Sequence, residues 1–330
     1  MAPGITKGVK DRRPKATSVR ARFRRTLFEH VPMTGSGATI RASPDGGGIF
    51  GGSRPLSNES GPGGHSAPPA LRARNIVVLL PALNEERAVG AVIERIPMED
   101  LRRSGYNTYV WVVDGQSVDA TLEVAKDRGA SVYVQSGEGK GNGVRQALDL
   151  LMSDRNRQHI EGPKIYVMLD ADGTYPPEQI PEFVEALESG CDVVAGSRLR
   201  GRVEDGALTS LNRLGNQVLS GFARFLFGFP ISDVCTGMWA FREDALQRFR
   251  LDAESFDLEA DLFASACETG AHLTELPVDY ACRIGKAKLV PIRTGILIAW
   301  RLLMRRLNQR DMRDLQRLSA MSQVGRAAEQ

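Results

Sequence analysis

The sequence predicts a doubly wound α/β domain, a mostly parallel sheet with helices on both faces, preceded by a disordered N-terminal tail. Two observations carry this. Unbroken Val/Ile/Leu runs alternate with segments of helical period, and each apolar run ends in a polar loop. Strands that read as continuous apolar runs are covered on both faces, as parallel strands between two helical layers must be.

Asn75 to Leu80 opens the alternation and ends at Pro81. Glu85 to Ile96 reads as a helix because Ala88, Val89, Val92, Ile93 and Ile96 recur at helical spacing. Tyr109 to Val113 is the second buried strand, and Asp119 to Arg128 a helix with an acidic first turn. Ser131 to Val134 makes a short third strand and Gly143 to Met152 its helix. Ile165 to Leu169 is the fourth strand, Glu178 to Glu188 a helix opened by Pro176-Pro177, and Cys191 to Ala195 the fifth strand.

Composition sets the limits of this domain. With 330 residues and 42% hydrophobic content, the chain can hold one large α/β domain or two small ones. The net charge of +3 conceals an asymmetry, since residues 1–30 hold nine Lys or Arg against Asp11 and Glu29. Such a tail is either solvated disorder or a contact for an anionic surface, and it does not suggest a nucleic-acid-binding domain. From Val31 to Ala70, ten Gly, six Pro and six Ser fill forty positions, too little apolar surface to offset the entropy of ordering. The expected division is a tail over 1–72, a folded domain over 73–290, and a basic amphipathic helix and tail over 291–330. Cys191, Cys235, Cys267 and Cys282 are too far apart for a zinc or redox motif and read as reduced thiols. The leader has no secretory apolar stretch, and Gly295 to Trp300, broken by Arg301, falls well short of the roughly 18 residues of a membrane span.

Ligands of doubly wound sheets bind outside the carboxyl ends of the strands. Polar residues collect there: Pro81-Ala-Leu83-Asn-Glu85-Glu86, Asp114-Gly-Gln-Ser117, Gly137-Glu-Gly-Lys140-Gly-Asn-Gly143, Asp170-Ala171-Asp172 and Gly196-Ser-Arg198 follow strands one to five. Asp170 and Asp172 project to one side if the strand runs through them, and two carboxylates there suit Mg²⁺ or Mn²⁺, which take further ligands from phosphates and water. Asp-Ala-Asp-Gly is also good turn chemistry. Lys140 is followed by Gly141, so no Walker A loop is present, and a dinucleotide fingerprint would follow the first strand rather than the third. The glycines permit close backbone approach, and Lys140 offers charge to a phosphate or base.

These loops, together with Asp233-Val-Cys-Thr-Gly-Met-Trp-Ala-Phe-Arg242, Phe256-Asp-Leu-Glu-Ala-Asp261 and Arg283-Ile-Gly-Lys-Ala-Lys288, resemble the family 2 glycosyltransferases of GT-A fold. The resemblance is strongest to the branch of dolichyl-phosphate and polyprenyl-phosphate sugar synthases, and it covers roughly residues 75–295. It implies that Pro81, Leu83, Glu85 and Asp114 hold the nucleoside and that Asp170 and Asp172 hold the metal bridging the diphosphate. Arg283 and Lys288 would meet the phosphates from the other side, with Lys140 and Ala171 completing the donor site. Arg198 and Arg213 would bind the acceptor phosphate, and Glu259 would point inward beside them. Two positions depart from the pattern: Thr174 stands where a third metal ligand often lies, and Ala287 replaces the usual serine.

The implied reaction is direct, inverting displacement at the hexose C1 of a UDP- or GDP-sugar. A hydroxyl acceptor, such as a soluble metabolite, needs a general base, for which Asp233 is the candidate; a polyprenyl phosphate is already an anion and needs none. Ser232-Asp233 also reads as an ordinary loop, and Asp257, Glu259 and Asp261 as an acidic helix start. A sugar-1-phosphate nucleotidyltransferase would want basic residues after strand one, where Leu83-Asn-Glu-Glu86 is acidic. The apolar stripes of 207–229 and 296–318, the latter set among arginines, suit either an anionic membrane surface or protein packing. The expectation is a cytoplasmic enzyme with a peripheral contact at the inner face of the membrane.

Overall fold

The computed structural model describes residues 74–153, 160–285 and 291–328, with the side chains of the last helix described to residue 309. The expected tail over 1–72 and the positions Ala287 and Lys288 lie outside the described residues.

The strands are β1 (Arg74–Ala82), β2 (Tyr106–Asp114), β3 (Ser131–Val134), β4 (Lys164–Met168), β5 (Val193–Ser197), β6 (Trp239–Arg242) and β7 (Leu273–Pro277). Among the described residues they form one seven-stranded sheet in the order β3-β2-β1-β4-β6-β5-β7. All neighbours are parallel except β6, which runs antiparallel to β4 and β5 and sets Trp239 between Met168 and Ala195. The first five strands fall on the five apolar runs. Around them lie α1 (Val89–Glu94), α2 (Met98–Arg103), α3 (Thr121–Asp127), α4 (Lys140–Met152), α5 (Ile180–Glu188), α6 (Ser210–Phe227), α7 (Glu243–Leu246), α8 (Leu258–Thr269) and α9 (Pro291–Ala328).

The strand period of two divides β1 between two cores. Ile76, Val78 and Leu80 join Val89, Phe183 and Leu187 of α1 and α5, while Val77 and Leu79 join Val144, Leu148 and Phe263 of α4 and α8. Burying these five β1 side chains contributes on the order of 10 kcal/mol before chain entropy is set against it. Both faces are covered, which is why the run shows no polar alternation.

The helix expected from Glu85 begins only at Val89, because side chains of the neighbouring loop capture the intervening backbone. The amides of Glu85 and Glu86 donate to Thr121 Oγ1 and Asp119 Oδ2, at 2.8 and 3.2 Å, and Asn84 takes a positive φ of 50°. These bonds lace the loops after β1 and β2 into one wall. α4 starts three residues earlier than its apolar period implies, at Lys140. α9 buries Thr294, Ile298, Leu302 and Arg305 at helical spacing while packing beside α6 and α8. No described helix is long and apolar enough to cross a membrane.

Candidate active site

The loops at the carboxyl ends of β1 to β5 converge on a cavity of about 250 Å³. Pro81, Leu83, Glu85, Lys140, Asp170, Ala171, Asp172, Arg198, Glu259 and Arg283 all line it. Asp114 is fully buried behind the lining residues Val113 and Gly115. Its Oδ2 accepts from the amides of Gln116 and Ser117 at 2.9 and 3.0 Å, and its Oδ1 has no hydrogen bond among the described residues.

Asp170 and Asp172 lie in the turn that follows β4 rather than within the strand, and both line the cavity. Asp172 Oδ1 accepts from the Thr174 amide at 3.0 Å and its hydroxyl at 2.6 Å, so Thr174 anchors one carboxylate of the pair. Asp172 Oδ2 is ion-paired with Arg283, which also approaches Glu85 Oε1 at 3.5 Å. Burial and the neighbouring charge of Asp170 raise the Asp172 pKa, so the two carboxylates feel each other. A Cβ on Gly237 would collide with Asp170 Oδ2, so the cradle around that carboxylate tolerates no side chain there. Hard oxygen donors with mutual repulsion fit a divalent cation. No group of three His, Cys, Asp or Glu placed to hold a metal ion occurs among the described residues, so further ligands would come from phosphate and water.

Lys140 stands opposite. Its Nζ donates to Asp170 Oδ1 and to Glu259 Oε1, each at 2.6 Å. Burial opposes its charge, but the two carboxylates more than offset this and hold its pKa above the ordinary value. The close approach that the glycine-rich loop permits is to the protein's own backbone. Gly139 and Gly141 pack on the carbonyls of Glu254 and Ala253 with no room for a Cβ, and the amides of Gly141 and Asn142 donate to Ser255 and Glu254 carbonyls at 3.1 and 3.0 Å.

At the other end of the cavity Arg198 stacks over Tyr280, its guanidinium carbon 5.2 Å from the ring centroid. Its Nε and Nη2 donate to the two oxygens of Asp233, both at 2.7 Å, and Nη2 also reaches the Cys235 carbonyl at 2.8 Å. Asp233 further accepts from the Arg198 amide at 2.9 Å and from Asn216 Nδ2 at 2.7 Å. The carboxylate expected as a base is fully buried, does not line the cavity, and carries four hydrogen bonds. Burial works against the Arg198 charge, yet Tyr175 and Asp233 keep its pKa well above the ordinary value. Arg213 is exposed on α6 and does not line the cavity.

The profile of glycosyl transferase family 2 matches residues 77–250. The chain belongs to that family. It is therefore a glycosyltransferase, and the seven-stranded arrangement with its strand-end cavity is the GT-A fold. The chain is 34% identical over 225 residues to glycosyltransferase AglJ of Haloferax volcanii, covering 68% of this chain and 69% of that protein. It is also 34% identical over 224 residues to a dolichyl-phosphate hexose transferase of the same organism, covering 68% and 90%. That relative supports the lipid-phosphate sugar synthase branch. A crystal structure of glucosyl-3-phosphoglycerate synthase from Mycobacterium tuberculosis with Mn²⁺, uridine diphosphate and glucosyl-3-phosphoglycerate superposes with a TM-score of 0.53. It shares 22% identity over 70% of this chain and 80% of that one, a likeness of fold.

Several contributors escape a reading of spacing alone. Tyr175 and Tyr280 meet edge to face, 5.2 Å between centroids, and both line the cavity. Glu275, in β7, accepts from the amides of Ser232 and Asp233 at 2.9 and 3.1 Å and so fixes the loop that carries Asp233. Tyr280, three residues before Arg283, was available as an aromatic beside a cationic motif; Glu275 had no local signal.

Proposed function

We propose that this glycosyltransferase moves a hexose from a UDP- or GDP-sugar to a polyprenyl phosphate, with inversion, using Mg²⁺ or Mn²⁺ at Asp170 and Asp172. The observation that carries the acceptor assignment is the state of Asp233. A hydroxyl acceptor needs a base, and this carboxylate has its lone pairs committed to Arg198 and Asn216. A phosphate nucleophile is already an anion, and Arg198 is the cation that faces it. Asp233 is then a positioning residue for Arg198.

Pro81, Leu83 and Glu85 form the nucleoside wall, and Asp114, buried behind Val113 and Gly115, holds the nucleoside side of the cavity in shape through the Gln116 and Ser117 amides. Arg283 lies against Asp172 and meets the donor diphosphate, with Lys288 on the same segment. A bound divalent ion would neutralise charge that grows on the diphosphate leaving group. Lys140 fixes the orientation of Asp170, and Glu259 fixes Lys140. The synthase from Mycobacterium tuberculosis holds Mn²⁺ with uridine diphosphate, which supports a divalent ion here by analogy of fold.

The surface supports a peripheral contact with a membrane. Leu211, Leu214, Val218 and Phe225 form an exposed stripe on α6, and Ile292, Ile296 and Trp300 another on the adjacent α9. Arg213, exposed on α6, is assigned to the acceptor headgroup at this face. A thermal-shift series with UDP-, GDP- and dTDP-hexoses, with and without Mn²⁺, tests the donor reading. A ligand at 100 times its Kd stabilises by about 2.7 kcal/mol. A rise that needs both nucleotide-sugar and metal supports the proposal, and no rise with any donor contradicts it.

A further inference from the structure

Arg301 projects from α9 into the body of the domain, and its contacts lead to the metal-site carboxylates through one continuous chain. Its Nε donates to Asp257 Oδ2 at 2.7 Å, with Asp257 only 2% exposed, and its Nη2 donates to the Asp252 carbonyl at 3.1 Å. Asp257 Oδ1 accepts from the Ser255 amide at 3.0 Å. The Ser255 and Glu254 carbonyls accept in turn from Gly141 and Asn142, in the first turn of the helix that begins at Lys140.

The first amides of a helix ordinarily lack partners and bind anions. Here two of them are held by the 252–257 loop, which is itself held by Arg301. Gly139 and Gly141 have no room for even a methyl group against that loop, so a displacement of the loop moves Lys140 with it. Glu259, the other partner of Lys140, follows Asp257 by two residues at the start of α8. The two groups that flank Lys140 from this side therefore share the Arg301–Asp257 anchor, while Asp261 holds the start of the loop through the Asp252 and Ala253 amides at 2.6 and 2.8 Å.

We propose that Arg301 is a positioning residue for the donor site: with Asp257 it clamps the 252–257 loop and so sets Lys140 between Asp170 and Glu259. This rests on the reading of Asp170 as part of the donor and metal site. Arg305 is the natural comparison. It also ties α9 to α8, pairing with Glu268 at 2.8 Å and donating to the Arg250 carbonyl at 2.6 Å. Its contacts to Glu268 and Ser265 lie along α8, and its pairs with Asp252 and Asp261, at 3.5 and 3.4 Å, reach only the start of the loop. Arg301 instead reaches Asp257, which holds the Ser255 amide next to the carbonyls that take Gly141 and Asn142.

The test uses the full chain and three variants, Arg301→Gln, Arg301→Lys and Asp257→Asn, read first by hydrogen exchange without metal or donor. In Arg301→Gln and Asp257→Asn, peptides covering 139–145 should exchange at least about tenfold faster, with peptides of β1 and β4 unchanged. Donor KM should rise about tenfold in both while acceptor KM stays at the wild-type value, and Arg301→Lys should recover most of each effect. Unchanged exchange over 139–145 overturns the clamp, whatever the enzyme's substrates are. Faster exchange with unaltered donor KM, or an equal rise in acceptor KM, overturns the positioning role. Failure of the donor assignment is distinguishable, because it would appear as the wild-type protein binding no nucleotide-sugar.

Discussion

Arg198 and Asp233 meet in a two-point contact, each bond 2.7 Å long, with Asp233 wholly removed from solvent. Truncating one partner of a buried ion pair strands the other. Asp233→Ala should therefore lower stability by about 3–5 kcal/mol in urea unfolding. Asp233→Asn keeps some of the hydrogen bonds and should act mainly by raising acceptor KM, with the shape of the pH–rate profile unchanged. Loss of the acidic limb of that profile in Asp233→Asn would restore Asp233 to the role of base.

Lys140 ties Asp170 to Glu259 from inside the protein, so its interactions should be strongly coupled. A double-mutant cycle of Lys140→Met and Glu259→Gln should give a coupling of about 1–3 kcal/mol in unfolding free energy. Additivity within about 0.5 kcal/mol would mean that the pair is not an energetic unit.

Two glycines should respond in opposite directions. A Cβ on Gly141 would lie 2.6 Å from the Ala253 carbonyl oxygen, which is backbone and cannot rotate away. Gly141→Ala should cost about 1–3 kcal/mol. Gly215 lies within α6 with nothing within 4 Å of the position of its Cβ. Gly215→Ala should stabilise by about 0.5–1 kcal/mol through helix propensity. Thermal melts of the two variants check both signs.

Much of the fold was readable because the five buried strands combine long apolar runs with the period of their flanking helices. β6 was not, since its four residues draw their strand character from lying between β4 and β5. β7, Leu273–Pro277, carries Thr274 and Glu275 and has no apolar run. At the site, the local motifs around Asp170 and Lys140 were legible because each is a short polar loop after an apolar run, whereas Arg283 was marked only by the resemblance of its segment to the family pattern. The pairing of Arg198 with Asp233, 35 residues apart, was not, and neither was the segment against which Gly139 and Gly141 pack. Those facts depend on which loops the sheet order brings together. Glycine spacing announces a close approach without naming what approaches.

The thiols should differ in reactivity. Burial pushes Cys235, despite the nearby Arg198, and Cys267 each up to about 12. Neither should react with iodoacetamide at pH 8 in the folded protein, whereas Cys282, its pKa also raised, by its surroundings and by Glu204 and Asp205, is exposed and should be alkylated first. Peptide mass mapping after timed alkylation reads this directly, and early modification of Cys235 would contradict the packing around Arg198.

Lipid-phosphate glycosylation is read by transfer of labelled hexose from UDP- or GDP-hexose into the organic phase in the presence of a polyprenyl phosphate. Transfer should require Mg²⁺ or Mn²⁺, be abolished by EDTA and by Asp172→Asn, and yield a lipid-linked hexose of inverted anomeric configuration. Transfer that persists in EDTA or in Asp172→Asn, or that goes only to a soluble hydroxyl acceptor, would contradict the proposed reaction.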